Sequence, residues 1–111
     1  MKSINYDRNV KTLKALRESG SDPSKKHAIE HHLYCYSESD NEKLRELGKL
    51  SGYEIMYEGV VDDKDGQYWQ LDLVKSVNPN IETIEIQSKE IERYAEQTNA
   101  DYDGWGTEVE V

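Results

Sequence analysis

The content of apolar side chains limits what this chain can fold into. Eight Leu, seven Ile and seven Val make up about a fifth of its 111 residues, and Phe is absent, so it lies near the level at which a charged chain is suspected of disorder. Eight Tyr and two Trp add large rings that bury area while their polar tips stay bonded. The composition therefore predicts a single domain over residues 1–111 with one small, tyrosine-rich core.

The net charge of −9 is concentrated in the second half of the chain. Residues 1–50 carry ten Lys/Arg and eight Asp/Glu, whereas residues 51–111 carry four and fifteen. Because binding to DNA or RNA depends on basic groups that displace counterions, we expect no direct contact with nucleic acid. We expect attraction to a basic protein surface instead; the alternative is that the excess acid only keeps the protein in solution.

Cysteine use and the N-terminal sequence indicate the compartment. The lone Cys35 has no partner for an internal disulfide, and the start MKSINYDRN lacks the apolar stretch of a secretory signal. No run approaches the ~18 apolar residues that a membrane span needs. The sequence therefore predicts a cytoplasmic protein that does not contact the membrane.

Apolar side chains recur at helical spacing in three segments. The first helix has Asn5 or Asp7 as its cap, and the second begins with Ser39 and Glu42 as a capping box. The third follows the break at residues 78–80 and places Ile84, Ser88, Ile91 and Ala95 on its inner side. The acidic residues expected on the outer side of this helix are Glu82, Glu85, Glu92 and Glu96.

Four further segments alternate as strands do. Residues 27–36 place Ile29, Leu33 and Cys35 inward and Glu30, His32 and Tyr34 on the opposite side. Residues 53–57 and 68–74 flank a polar turn and form a hairpin. The last strand is predicted over residues 101–111, with four side chains on one side: Trp105, Thr107, Val109 and Val111.

The order of these elements, α-βαβ-βαβ, predicts an α+β fold. It is the order of the ferredoxin-like βαββαβ sandwich, a four-stranded antiparallel sheet with helices on one face, with an extra helix at the N-terminus. In this topology the first and last strands are neighbours. Residues 31–32 and residues 104–106 should therefore lie side by side.

The histidine and cysteine residues are candidates for a metal site and for a catalytic site. His27, His31 and Cys35 are spaced four apart, which would suggest zinc on a helix, but on a strand neighbouring side chains of the set lie about 13 Å apart. We therefore predict no metal site, and no cofactor. A small hydrolase with His31 or His32 as base near Asp103 is the remaining catalytic hypothesis; the alternative is one histidine packed in the sheet and the other hydrogen-bonded at its surface.

Trp105 lies between Gly104 and Gly106, although glycine weakens a strand interior and marks a bulge or a close approach. One interpretation is a shallow groove that displays the indole for binding. The other is a bulge that seats Trp105 in the core beside the first strand. The sequence leaves both open.

Four short segments carry a resemblance: GSDP at 20–23, IEHHL at 29–33, GYE at 52–54 and YDGWGT at 102–107. In this order and spacing they resemble the regulator of ribonuclease activity B family, over roughly residues 10–108. The resemblance implies a ferredoxin-like α/β sandwich that binds ribonuclease E and restrains RNA decay without being an enzyme.

We therefore interpret the chain as a non-enzymatic acidic protein that inhibits or modulates a ribonuclease E-like endoribonuclease by direct contact. The alternative is an immunity protein that neutralises a toxin nuclease, since a small acidic domain suits a basic active site equally well. The predicted binding residues are Asp22, Glu30, His32, Tyr102, Asp103, Trp105, Glu82, Glu85, Glu92, Glu96 and Glu108.

Overall fold

Three helices and four strands make up the fold in a computed structural model that describes residues 1–111. The elements in chain order are α1 Tyr6–Glu18, β1 His27–Cys35, α2 Glu38–Leu50, β2 Glu54–Asp63, β3 Gly66–Val77, α3 Ile81–Gln97 and β4 Asp101–Gly106. The predicted α+β class and the order of elements are confirmed. None of the helices combines the length and apolar character that a bilayer crossing requires.

The four strands form one antiparallel sheet in the order β2-β3-β1-β4. β1 is hydrogen-bonded on both sides, with His27 to Cys35 opposite Val77 to Trp69 of β3. On its other side Glu30 lies opposite Gly106 and His31 opposite Trp105 of β4. The first and last strands are therefore neighbours, as the sequence predicts.

The core lies between one face of the sheet and the helices. Every odd-numbered residue of β1 is buried, because successive side chains of a strand point to opposite faces. The main cluster of buried side chains joins β1, α2, β3 and α3 through Leu33, Leu44, Leu71 and Ile91. A smaller cluster joins α1, β1 and α3 through these residues: Leu13, Ile29 and Ile84.

α2 and α3 begin at side-chain caps. Ser37, in extended backbone, accepts a hydrogen bond from the Asp40 amide, so α2 begins two residues before the predicted capping box, which is wrong. At α3 the Asn80 side chain accepts from the Thr83 amide, and the Thr83 hydroxyl accepts from the Asn80 amide. These bonds satisfy amide groups that have no partner inside a helix.

β4 ends at Gly106, so the prediction that this strand reaches residue 111 is wrong. Beyond Gly106 the backbone pairing with β1 ends. The Thr107 hydroxyl still donates to the Ala28 carbonyl of β1 over 2.7 Å, and the chain then bonds to the loop that precedes β1. The Asp22 amide donates to the Glu110 carbonyl over 2.7 Å, and the Glu110 amide donates to the Ser21 hydroxyl over 2.9 Å. Val109 and Val111 are exposed as a result.

Glu85 is buried on α3, so the expectation that it faces solvent is wrong. Its carboxylate accepts bonds from the Ser3 amide at 2.9 Å, from the Ser3 hydroxyl, and from the Asn9 side-chain amide at 2.9 Å. Burial would raise the pKa of Glu85, but these bonds, with the charge of Lys89, outweigh it and hold the pKa below its usual value. The carboxylate thus ties the N-terminal segment and α1 to α3.

Replacement of this carboxylate tests its role in stability. Glu85→Ala leaves buried donors of Ser3 and Asn9 without an acceptor, so we expect a loss of ~2–4 kcal/mol in the free energy of unfolding. Glu82→Ala, at an exposed position of the same helix, should change it by less than ~0.5 kcal/mol. Urea unfolding followed by circular dichroism measures both; equal effects would contradict the assignment.

Candidate interaction surface

One face of the sheet is left without a covering element, because all three helices pack on the other. The strand register places on this side the even-numbered residues of β1 and β3 and their partners on β2 and β4. We call this surface the open sheet face. Its main residues are Glu30, His32, Tyr34, Tyr57, Gly59, Tyr68, Gln70, Asp72, Asp101 and Asp103.

Tyrosine rings form the apolar part of the open sheet face. The rings of Tyr34 and Tyr68 meet edge to face with centroids 5.8 Å apart. The Tyr57 side chain lies over Gly59, where a Cβ atom would come within 2.4 Å of the Tyr57 hydroxyl. Gly59 therefore allows the Tyr57 ring to lie along the sheet, and this ring remains 49% exposed.

Carboxylates surround these rings. Burial, together with the negative charges of Asp103 and Asp72, raises the pKa of Tyr34. The Tyr36 hydroxyl at the end of β1 donates to the Asp101 carboxylate, and this bond raises the pKa of Tyr36. The arrangement combines negative charge with aromatic ring faces, both of which attract cations.

His32 is the one basic side chain of the open sheet face. Its Nδ1 lies 3.1 Å from an Asp72 carboxylate oxygen on the neighbouring strand. None of the strand residues whose register places them on this side is Lys or Arg. The face therefore has more carboxylates than basic side chains, and Glu30, Asp101 and Asp103 form no ion pair with Lys or Arg.

His31 points to the opposite side of β1 and is fully buried. Its Nδ1 accepts from the Tyr102 hydroxyl at 2.6 Å, and its Nε2 donates to the Gln87 side-chain oxygen at 2.7 Å. Burial lowers the pKa of His31 to about 4, with a smaller contribution from nearby His32, although the bond to Gln87 opposes it. The ring is a neutral, fully bonded element of the core.

The hydrolase hypothesis required His31 or His32 to act near Asp103. His31 faces the helices and so lies apart from Asp103, whereas His32 shares the open sheet face with Asp103 and has its Nδ1 bonded to Asp72. The alternative, one histidine packed in the sheet and one bonded at its surface, describes the geometry. His27, His31 and Cys35 follow one another along β1, as the strand prediction requires.

Trp105 is seated by a bulge in β4. His31 pairs with Trp105 and Leu33 with Tyr102, so one residue of β1 faces two of β4, and Gly104 adopts a φ of +94°. The partly buried indole packs against the cluster of Leu13, Ile29 and Ile84. Its N–H donates to the Asn9 side chain over 2.8 Å. This is the core interpretation; the indole is not displayed in a groove.

The other predicted binding residues fall in different places. Glu82 and Glu96 are exposed on α3, and Glu108 is exposed after β4. Glu92 accepts bonds from the amides of Ile4 and Asn5 and is partly buried. Asp22 accepts bonds from the Ser24 hydroxyl and amide, which lower its pKa.

The predicted set therefore divides into three groups. The residues on the open sheet face are Glu30, His32 and Asp103. The residues engaged within the fold are Tyr102, Trp105, Glu85, Glu92 and Asp22. The exposed residues elsewhere are Glu82, Glu96 and Glu108.

Sequence reasoning about binding residues missed part of the open sheet face. The residues are Tyr34, Tyr57, Tyr68, Asp72 and Asp101. For Tyr34 a signal was present, because the alternation that turns Glu30 and His32 outward also turns Tyr34 outward. The outward direction of Tyr57 depends on the bulge between Ile55 and Tyr57 in β2, which alternation alone does not reveal.

Comparison with known proteins gives consistent similarities. A family model described as regulator of ribonuclease activity B matches residues 6–107. Proteins named Regulator of ribonuclease activity B from Haemophilus ducreyi and Proteus mirabilis are each 36% identical, over 96 and 97 residues, covering 86% of this chain and 67% of theirs. The Escherichia coli protein of the same name is 31% identical over 99 residues, covering 88% of this chain and 72% of its own length.

The buried histidine makes stability depend on pH. An unfolded histidine has a pKa of 6.5, whereas folded His31 has a pKa of about 4, so below pH 6.5 protons favour the unfolded state. The contribution is therefore complete above pH 6.5 and is lost as pH falls toward 4. We expect the wild type to lose ~2 kcal/mol more than His31→Gln between pH 7 and 5.

The control for this experiment is His32→Gln, which should keep most of the pH dependence, because burial of His31 contributes more to its lowered pKa than His32 does. Urea unfolding at each pH measures all three proteins. Should His31→Gln fail to fold, NMR titration of the wild type gives the same information, because its His31 should stay neutral at pH 5. Protonation of His31 near pH 6.5 would overturn the argument.

A second prediction concerns Trp105. Because the indole fills the space between α1, β1 and α3, Trp105→Ala should reduce the free energy of unfolding by ~3 kcal/mol. Trp105→Phe retains most of the packing and loses the bond to Asn9, so it should cost ~1 kcal/mol. Thermal and urea unfolding of the two variants test this order, and an unchanged melting temperature for Trp105→Ala would contradict the packing role.

Proposed function

This chain belongs to the regulator of ribonuclease activity B family, and we propose that it modulates an endoribonuclease by binding it directly, without cleaving RNA itself. The observation that carries the proposal is the family match over residues 6–107. Its relatives are bacterial proteins named for the regulation of ribonuclease activity. The match favours this function over the immunity-protein alternative.

The proposed target is a ribonuclease E-like enzyme with a basic contact surface. The net charge of −9 and the unbalanced carboxylates of the open sheet face support a basic partner. The same charges oppose direct contact with RNA, whose phosphates repel them. We place the interaction in the cytoplasm, where bacterial RNA is degraded.

A non-catalytic role is supported by the name of the relatives and by the placement of the histidines. His31 is enclosed and bonded to Tyr102 and Gln87, and His32 is bonded to Asp72 on the other side of the sheet. A regulator of this kind acts by occupying a surface of the nuclease, so the fold supplies shape and charge.

We also assign the fold to the ferredoxin-like arrangement. α2 connects β1 to β2 and α3 connects β3 to β4, and each connection passes one intervening strand of the sheet. The order β2-β3-β1-β4, with α1 added in front, supports this assignment.

The function is tested by adding the purified chain to ribonuclease E and following cleavage of a fluorescent RNA. We expect saturable slowing of cleavage, with an association rate that falls as salt rises from about 50 to about 300 mM, because charge steers the encounter. A basic ribonuclease of unrelated fold is the control for charge alone and should be unaffected. Unchanged cleavage by ribonuclease E at saturating chain, or RNA cleavage by the chain alone, would overturn the proposal.

A further inference from the structure

We propose that the open sheet face is the docking surface and that its occupant is an extended protein segment with Lys or Arg at alternate positions. This inference rests on the proposed function, because it names the surface by which the ribonuclease is bound and the chemistry of the segment that binds. The argument uses charge, ring exposure and strand spacing.

The negative charge of the open sheet face indicates which class of molecule binds there. The carboxylates of Glu30, Asp101 and Asp103 face solvent or a tyrosine hydroxyl, and no Lys or Arg of the sheet shares their side. A second copy of this chain would place a like-charged face against them, and RNA would bring phosphates. A basic protein segment instead gains charge pairs at each carboxylate.

The exposed tyrosine rings of the open sheet face provide a second attraction for a cation. Tyr57 lies along the sheet over Gly59 with 49% of its surface exposed, and Tyr34 and Tyr68 present a second pair of rings. Arg or Lys over such a ring is attracted by its negative face while a neighbouring carboxylate takes the charge. Tyr is also enriched among residues that carry binding energy.

The spacing of side chains along the strands favours an extended binding segment over a helical one. Asp101 and Asp103 are two residues apart on β4, as Glu30 and His32 are on β1. Such side chains lie about 6.6 Å apart, which is the spacing of alternate side chains in any extended segment. A partner with basic residues at every second position therefore meets Asp101 and Asp103 in succession along β4.

Two double variants that remove the same charge from different surfaces test the surface. The side-chain carboxylates of Glu30 and Asp103 form no hydrogen bond or ion pair within the chain, and the same holds for those of Glu82 and Glu96 on α3. We expect E30Q/D103N to weaken binding of ribonuclease E at least about tenfold and E82Q/E96Q less than about twofold. Calorimetry measures the affinities, and circular dichroism confirms that all the proteins fold.

A second pair of variants tests the contribution of the Tyr57 ring to binding. Tyr57→Ala should weaken binding by at least about fivefold, since a truncated hot spot costs more than ~1 kcal/mol. Ile86→Ala removes an exposed apolar side chain from α3 and should leave affinity unchanged. Equal affinities for these two variants would overturn the role of the tyrosines.

Synthetic peptides and RNA test binding to the open sheet face in the absence of the ribonuclease. An eleven-residue peptide of alternating Arg and Thr should shift the NMR signals of Tyr34, Tyr57 and Asp101, whereas a peptide of alternating Glu and Thr and a single-stranded RNA should not. Shifts confined to α3, preferential RNA binding, or salt-sensitive self-association through the open sheet face would each overturn the inference.

The outcomes distinguish the two proposals. If the wild type binds and slows ribonuclease E but E82Q/E96Q loses binding while E30Q/D103N keeps it, the docking surface is wrong and the function stands. If the wild type does not bind ribonuclease E yet the arginine peptide binds the open sheet face, the function is wrong and the surface chemistry stands.

Discussion

The double pairing of β1 determines which side chains form the core and which form the surface. Hydrogen bonds to β3 on one side and β4 on the other hold this strand in one register, and a shift of one residue would exchange its two faces. Such a shift would bury Glu30 and expose Leu33. It would also remove His31 from Tyr102 and Gln87, so the buried histidine penalises the alternative register as well.

Local periodicity was sufficient for much of the fold. The alternation of β1 predicts that Ile29, Leu33 and Cys35 point inward, and helical spacing predicts the inner side of α3; the structure confirms both. These predictions succeed because each depends on residues within a few positions of one another. The cap of α2 lies at Ser37 and not at the predicted Ser39, because both serines offer a side-chain acceptor and local sequence does not distinguish them.

Contacts between distant segments were not predictable in the same way. Glu85 lies at the edge of the inner side of α3, and the sequence predicts it on the outer side, where a charged residue of a helix usually lies. Its burial follows from Ser3 and Asn9, which supply donors from the other end of the chain. The end of β4 at Gly106 likewise depends on a competing bond from Asp22 to Glu110, whereas the alternating sequence continues unchanged to residue 111.

Tyrosine side chains contribute both to the core and to the candidate site of this chain, which has few aliphatic side chains. Tyr53 and Tyr102 pack in or against the main core cluster, while Tyr57 and Tyr68 lie on the open sheet face. A ring on a surface is a solubility risk, and here the neighbouring carboxylates offset it by keeping the face charged. The same carboxylates repel one another across β1 and β4, so a cation bound among them relieves that repulsion while it covers the rings. Under the proposed docking, the carboxylates that keep this face hydrated are therefore the same groups that select a basic partner.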